Sequence, residues 1–311
     1  MQTDLLQEEL CADNTPYIII MNPRKYNFAS NDPFDHDSPI NLVVPPLKSS
    51  IDFMQSIREY NVKKNSLAIW TLGQNGFILK SSDGTTICID PYLSNYCAEA
   101  EKYRHFNIRL DRQLPIFIYP EDLDVDIILT THSHDDHADP FTLSKIKKRT
   151  TFIGPWEAFQ RFKSCGIDEK YCLLIHPNQE IKVKGVNIFG TFSMPTDYTD
   201  LNHMGFIIKF KNGISFYNSG DTDYTDLLGF AGEFKPDIAS ICINGGFNNL
   251  DNMDAVKITK MIEPKVVIPC HYDMMVNNIG NPLIFESFLN LQDCTSKFEM
   301  MAYYEPYIYD N

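Results

Sequence analysis

The stretch Thr130–Asp139, "TTHSHDDHAD", gathers three of the chain's eight histidines and three aspartates into ten residues, directly behind the apolar run "VDIIL". A short apolar run bounded by polar residues reads as a buried strand, so the cluster stands at a strand end. On an extended segment alternate side chains share a face, and His132 and His134 therefore reach one point. If the chain turns after them, Asp136 and His137 face a neighbouring point. Imidazole and carboxylate are ligands of divalent transition metals, and two ions a few ångströms apart are what hydrolysis by a bridging hydroxide requires. A lone histidine here would read as part of a solvated loop. Three histidines and an aspartate within six positions weigh against that.

Further candidates stand at strand ends downstream. "FYNSGDT" places Asp221 after an apolar run and a glycine turn, and "VVIPCHYD" places His271 at the end of another. Taken singly, Asp221 reads as a turn residue and His271 as a capped core histidine. Together with the first cluster they supply a bridging carboxylate and a further imidazole.

The rest of the chain repeats the same plan. "SLAIWTLG", "GFILKSS", "TTICIDP", "DIILTTH" and "TTFIGP" read as strands, the first three close enough for a meander. Helical patterns follow in "DPFTLSKIKKR", with Asp139 as cap and Pro140 in the first turn, "WEAFQRFKSC", "MDAVKITKMI" and "PLIFESFLNLQ". A second strand set runs through "KGVNIFGTF", "MGFIIKFKNG", "ISFYNSGD", "DIASICING" and "KVVIPCHYD". Ahead of both sets, "SSIDFMQSIREY" reads as a short amphipathic helix, with Ile51, Met54, Ile57 and Arg58 at helical spacing behind a serine cap. The pattern is α/β: two sheets packed together with helices outside, a single unit over residues 49–311 with no linker between its halves. Residues 1–48, rich in Asn, Asp and Pro and without sustained periodicity, read as an extension draped over that unit.

Bulk properties bound the function. A chain of 311 residues with a net charge of -14 has no long-range attraction for a nucleic-acid backbone or an anionic membrane, so neither partner is expected. The start "MQTDLLQEELCADNTP" lacks a basic, then apolar, leader, and no apolar run approaches the roughly 20 residues that span a bilayer. The eight cysteines are scattered without a CxxC pair and read as reduced thiols, which points to the cytoplasm.

"THSHDDHAD", "NSGDT" and "PCHYD", in this order and at these intervals, resemble the metallo-β-lactamase superfamily, whose HxHxDH motif is highly specific. The resemblance spans about Leu67 to Leu291 and implies a four-layer αβ/βα sandwich. "AIWTLGQNGFILKSSDGTTICID", "RQLPIFIYPEDLDVDIILTTHSHDDHAD", "SFYNSGDTDY" and "KVVIPCHYDMM" are similar to the L-ascorbate-6-phosphate lactonase subgroup. That resemblance implies His132, His134, Asp136, His137, Asp221 and His271 as metal-site residues, one or two divalent ions (manganese or zinc), and Arg112 as a subgroup position. Many superfamily members carry a further histidine just after the strand that here reads "VNIFGTF"; this chain has "SMPTDYTD". His203, nine residues beyond Met194, reads as a loop or supporting histidine, with ligation as the alternative, and His176 as structural.

Hydrolysis is the expected reaction, with Asp136 beside the attacking hydroxide to bind metal and orient the hydroxide or shuttle its proton. The connection "EKYRHFNIRLDRQLP" concentrates Lys102, Arg104, His105, Arg109 and Arg112 in an acidic chain, and arginine forks suit phosphate. Arg112 and Arg109 are the expected contacts to a small anionic, phosphorylated substrate. The leading expectation is opening of a lactone on a phosphorylated sugar acid. A phosphodiesterase acting on a nucleotide or phospholipid, and a metal- or ligand-binding protein without turnover, are the alternatives. A homo-oligomer is compatible with the sequence.

Overall fold

The computed structural model describes residues 17–21, 40–44, 47–103, 108–146, 149–278 and 280–311. Its body is two seven-stranded mixed sheets. The first contains β3 (Ser66–Gly73), β4 (Gly76–Ser81), β5 (Thr86–Ile89), β6 (Ile127–Leu129), β7 (Thr151–Gly154) and β8 (Cys172–Leu174), with β16 (Tyr307–Asp310) on the free edge of β3. β16, β3, β4 and β5 pair antiparallel, and β5 to β8 pair parallel. The meander and the strands read from the sequence in this half are all present.

The second sheet repeats the plan. β9 (Glu180–Val183), β10 (Val186–Phe192), β11 (Met204–Lys209) and β12 (Ser215–Asn218) pair antiparallel; β12, β13 (Ile238–Cys242), β14 (Val266–Cys270) and β15 (Lys297–Phe298) pair parallel. In open α/β sheets, ligands bind beyond the carboxyl ends of parallel strands. Here the ends of β5, β6, β12 and β14 deliver Asp90, the His132–His137 segment, Asp221 and His271.

Burial explains the strand patterns. Every residue of β3 to β6 and of β12 to β14 is buried, as continuous apolar runs require when both faces of a sheet are covered. The outer strand β9 alternates between exposed and half-buried residues. Phe77 of β4 and Phe216 of β12, both buried, meet edge to face at 5.9 Å and tie the two sheets across one apolar core. Each such ring contributes about 1.5–3 kcal/mol relative to exposure.

Helices flank the sheets as the sequence indicates. α1 (Ser50–Glu59) is capped by Ser49, whose hydroxyl accepts the Asp52 N–H at 3.2 Å. Its buried face is Ser50, Phe53, Met54 and Ile57, so Ile51 falls outside it and is 63% exposed. Asp139 caps α2 (Pro140–Lys145) by accepting the Phe141 N–H at 2.9 Å, which fixes how the chain leaves the histidine segment. α3 (Trp156–Ser164), α4 (Asn252–Ile262) and α5 (Pro282–Leu291) cover the expected stretches. Within the N-terminal extension, β1 (Tyr17–Met21) and β2 (Ile40–Val44) form an antiparallel pair, although the extension as a whole lacks sustained periodicity. The remainder of residues 1–46 lies outside the described residues.

Candidate metal centre

Beyond β6 the chain makes the turn that the histidine spacing needs. The N–H groups of His137 and Ala138 donate to the His134 carbonyl at 3.0 and 2.8 Å, which swings Asp136 and His137 away from the extended His132–His134 segment. Three groups of potential ligands result: His132, His134 and His203; His132, His137 and Asp221; Asp136, His137 and His271. Within each group the ligand atoms lie within 4.8 Å of one another. His132 and His137 each belong to two groups, so the three abut. Every described histidine except His176 takes part; His36 and His105 lie outside the described residues.

His203 is no free loop residue. It is 2% exposed, and its ring centre lies 3.9 Å from that of His132. Sheet register explains the placement: β10 and β11 pair antiparallel with Phe192 opposite Met204, so the next residues outward, Ser193 and His203, face each other. His203 therefore stands at the same height as the position just after β10. Periodicity along one strand cannot reveal a cross-strand neighbour.

Partners on the outer ring nitrogens turn the inner ones toward a common space. Nδ1 of His132 pairs with Thr131 Oγ1 at 3.0 Å, that of His203 with the Asp221 carbonyl at 3.1 Å, and that of His137 with Asp90 Oδ2 at 2.7 Å. The buried His132 Nε2 and His203 Nε2 have no hydrogen-bond partner. Buried polar atoms almost always find one, so two orphaned imidazole nitrogens beside the Asp221 carboxylate fit a divalent cation. On the other side, His271 Nε2 lies 3.2 Å from Asp136 Oδ2 and 3.1 Å from Asp221 Oδ1. His137 Nε2 lies 3.5 and 3.3 Å from the same two atoms.

Electrostatics divides the cluster. Burial, helped by the neighbouring imidazoles, pushes the pKa of His132 well below its ordinary value, and burial does the same to His203. Burial also works against charge on His137 and His271, but Asp221 and Asp136 overcome it and raise both pKa values. In return, the His137 and His271 imidazoles hold the buried Asp136 and Asp221 carboxyls below the usual range against the cost of burial. The two carboxylates thus favour positive charge in the space they share with these two imidazoles.

Residues not singled out from the sequence set this geometry. Asp90, fully buried, accepts the Thr131 N–H at 2.8 Å, the Thr131 hydroxyl at 2.6 Å and an Asn75 N–H at 2.6 Å besides holding His137. Gln74, in the turn between β3 and β4, donates from Nε2 to Asp136 Oδ2 at 2.7 Å and lies 2.9 Å from His271 Nε2. Its backbone is fixed on both sides: its N–H donates to Asp273 Oδ1 at 2.8 Å, and its carbonyl accepts the His271 N–H at 2.7 Å. Gln74, Asp90 and His271 all have positive φ, at 56°, 41° and 61°. Such strain in non-glycine residues concentrates where a site dictates geometry. Gly220 (φ 59°) precedes Asp221 in a tight space, where a Cβ would stand 2.7 Å from the Met204 carbonyl oxygen.

A cavity of about 400 Å³ opens over the cluster, lined by His134, Asp136, Asp221 and His271, by Lys102, Tyr103 and Arg161 on one side, and by Thr196, Asp197 and Phe247 among others. Arg112 is not among the lining residues, which corrects its expected role as a substrate contact. Its guanidinium donates to the carbonyls of Tyr92 (2.8 Å), Ser94 (3.2 Å), Leu114 (3.2 Å) and Pro115 (3.0 Å), and so it staples chain segments together. Arg109 also lies off the cavity, exposed and paired with Asp111 at 3.0 Å. Arg104 falls outside the described residues.

Known proteins agree with this architecture. A family model described as beta-lactamase superfamily domain matches residues 68–271. A probable L-ascorbate-6-phosphate lactonase, UlaG, of Salmonella paratyphi B is 25% identical over 268 residues, covering 73% of this chain and 75% of that protein. Among solved structures, Igni18, a metallo hydrolase from the archaeon Ignicoccus hospitalis, superposes with a TM-score of 0.62 at 23% identity, covering 79% of this chain and 99% of that one. An isothiocyanate hydrolase from Delia radicum gut bacteria does so with a TM-score of 0.62 at 17% identity, over 78% and 98% of the two chains. With the matched family model spanning both sheets and the ligand groups at their shared edge, the chain belongs to the β-lactamase superfamily domain family, as a metal-dependent hydrolase of metallo-β-lactamase fold.

Proposed function

We propose that this hydrolase opens a lactone ring on a small phosphorylated sugar acid, using two divalent cations, manganese or zinc. The observation that carries the two-ion reading is the sharing of His132 and His137 between adjoining ligand groups. His132, His134 and His203 would hold one ion and Asp136, His137 and His271 the other, and Asp221 would add its carboxylate beside His132 and His137. The lactone follows from the similarity to the probable L-ascorbate-6-phosphate lactonase. Bound divalent ions supply Lewis acidity toward a carbonyl oxygen and lower the pKa of water at the site.

The chain's own groups do the rest. Asp136 Oδ2 faces the cavity and is held by Gln74, so it is placed to take a proton from the attacking water. Asp90 and Thr131 keep His137 and His132 in the ring orientation that presents Nε2. Residues 49–311 form one hydrolase domain in this reading, because a single apolar cluster runs from Phe53 to Tyr309, and residues 1–48 are its extension. The described cysteines, all free, suit a reducing compartment such as the cytoplasm. No described helix is long and apolar enough to cross a membrane.

The test is elemental analysis of protein purified without chelator or affinity metal, paired with hydrolysis of lactone and phosphodiester substrates before and after manganese addition. Two metal equivalents with lactone turnover are expected. Turnover of the diester alone would replace the lactone reading with phosphoryl transfer, and no turnover before or after manganese addition would leave a binding protein.

A further inference from the structure

Resting on the reading of a small anionic substrate, we propose that Lys102 and Arg161, held by Asp135, form the subsite for the substrate's anionic substituent. Asp135 lies between the ligand candidates His134 and Asp136, yet its side chain turns away from them and is fully buried. It gathers three groups: Lys102 Nζ at 2.5 Å, Arg161 Nη2 at 3.2 Å and the Tyr103 hydroxyl, which donates at 2.9 Å. One carboxylate thus faces two cations, leaving one positive charge over at this wall. Lys102 Nζ also lies 4.9 Å from the Tyr103 ring centre, over its face.

Access and orientation favour a ligand. Among the described residues Lys102 and Arg161 are the only lysine and arginine lining the cavity above the metal-site candidates, and their side chains remain 53% and 26% exposed. The guanidinium of Arg161 meets Asp135 and the Ser133 carbonyl, the latter at 3.1 Å, through Nη2 in both cases. Among the described residues Nε and Nη1 have no such contact, and each can donate a single N–H hydrogen bond to an anion in the cavity. In a chain of net charge -14, such a wall selects an anion over a neutral molecule of the same shape. Because Asp135 shares its backbone with His134 and Asp136, the distance from subsite to reacting centre is fixed by one short segment. That spacing favours a substrate in which anion and scissile bond sit on one small molecule.

The experiment is calorimetric titration of the full-length, metal-loaded protein with glucose 6-phosphate, glucuronate and glucose, none of which carries a lactone. Wild type should bind glucose 6-phosphate at least about tenfold more tightly than glucose, and Lys102→Met and Arg161→Met should each reduce that ratio severalfold at unchanged metal content. Preference for glucuronate instead would assign the same subsite to a carboxylate. An unchanged ratio in both variants overturns the proposal. Lys102→Met decides alone if Arg161→Met fails to fold, since the Lys102 side chain is half exposed. Loss of the ratio in a protein that hydrolyses no lactone would keep the subsite and discard the lactonase reading; lactone turnover with no anion preference would do the reverse.

Discussion

The two ends of the cluster shift the same side chain in opposite directions. His132 and His203 are packed among imidazoles and have lowered pKa values, whereas His137 and His271 lie against Asp136 and Asp221 and have raised ones. A neutral imidazole is ready to ligate but offers a cation no net charge. A protonated imidazole beside a carboxylate marks a place where a cation is strongly favoured once the proton leaves. The difference teaches that ligand identity alone does not set a site's metal chemistry; the carboxylates beyond each ring do.

Asp221 belongs to both ends, and its replacement should break the comparison most severely. Asp221→Asn keeps the shape, removes the shared charge and should lower kcat/KM by about 10³–10⁴-fold, equivalent to several kcal/mol of lost charge stabilisation. Elemental analysis should show both equivalents weakened. His203→Ala touches the neutral end alone. It should cost one metal equivalent, or at least the roughly 10–100-fold in affinity that removal of a supporting partner costs. Two tightly held equivalents in the purified variant would return His203 to a packing role.

Acidity separates the ends without mutation. His137 and His271 have raised pKa values, so their contribution to folding is complete below the unfolded histidine value of about 6.5 and is lost as pH rises through the folded values. Asp136 and Asp221 have depressed values; their contribution is present above about 4 and is lost as pH falls through the folded values. These are the same contacts seen from both partners and count once. Metal-free protein should therefore show a Tm maximum between an acid limb and an alkaline limb. Metal loading should flatten the alkaline limb, because a cation replaces the displaced protons. Affinity at the carboxylate end should rise about tenfold per pH unit for each proton displaced, while the neutral end responds little. Equal slopes for both equivalents in metal titrations would erase the distinction.

Much of this was legible in the chain itself, and the exceptions share one cause. Strand ends at His132–His137, Asp221 and His271 are marked by apolar runs stopping at polar residues, a signal along one segment. The role of His203 depends on antiparallel register between β10 and β11, and those of Gln74 and Asp90 on strands separated in sequence from the histidine segment. Arg112 shows the opposite error. Its sequence setting, an arginine in a basic connection, is the same whether the guanidinium meets substrate or four carbonyls, and only packing decides between them. Arg161, on a helix read correctly from its periodicity, carries no local mark of its proximity to Asp135.

The smallest expected effect tests whether the carboxylate end is tuned from outside. Gln74 contacts Asp136 and His271 and none of the residues of the neutral end. Its Nε2 hydrogen bond stabilises the ionised Asp136, while its Oε1 is buried without a partner, so the side chain sits there at some cost. Gln74→Ala removes both effects and admits water, which restores part of the lost hydrogen bond. The net should be about 1 kcal/mol, or about fivefold weaker metal affinity at the carboxylate end, with the neutral end unchanged. Because the backbone of Gln74 is in the left-handed region, Gln74→Asn is the better partner variant: asparagine tolerates that conformation while its shorter amide cannot reach as far. If Gln74→Asn weakens the carboxylate end as much as Gln74→Ala does, the reach of the amide is what matters. If only the alanine variant does so, the loss comes from the backbone turn that carries Gln74 to His271, and the tuning belongs to the strained turn rather than to its side chain.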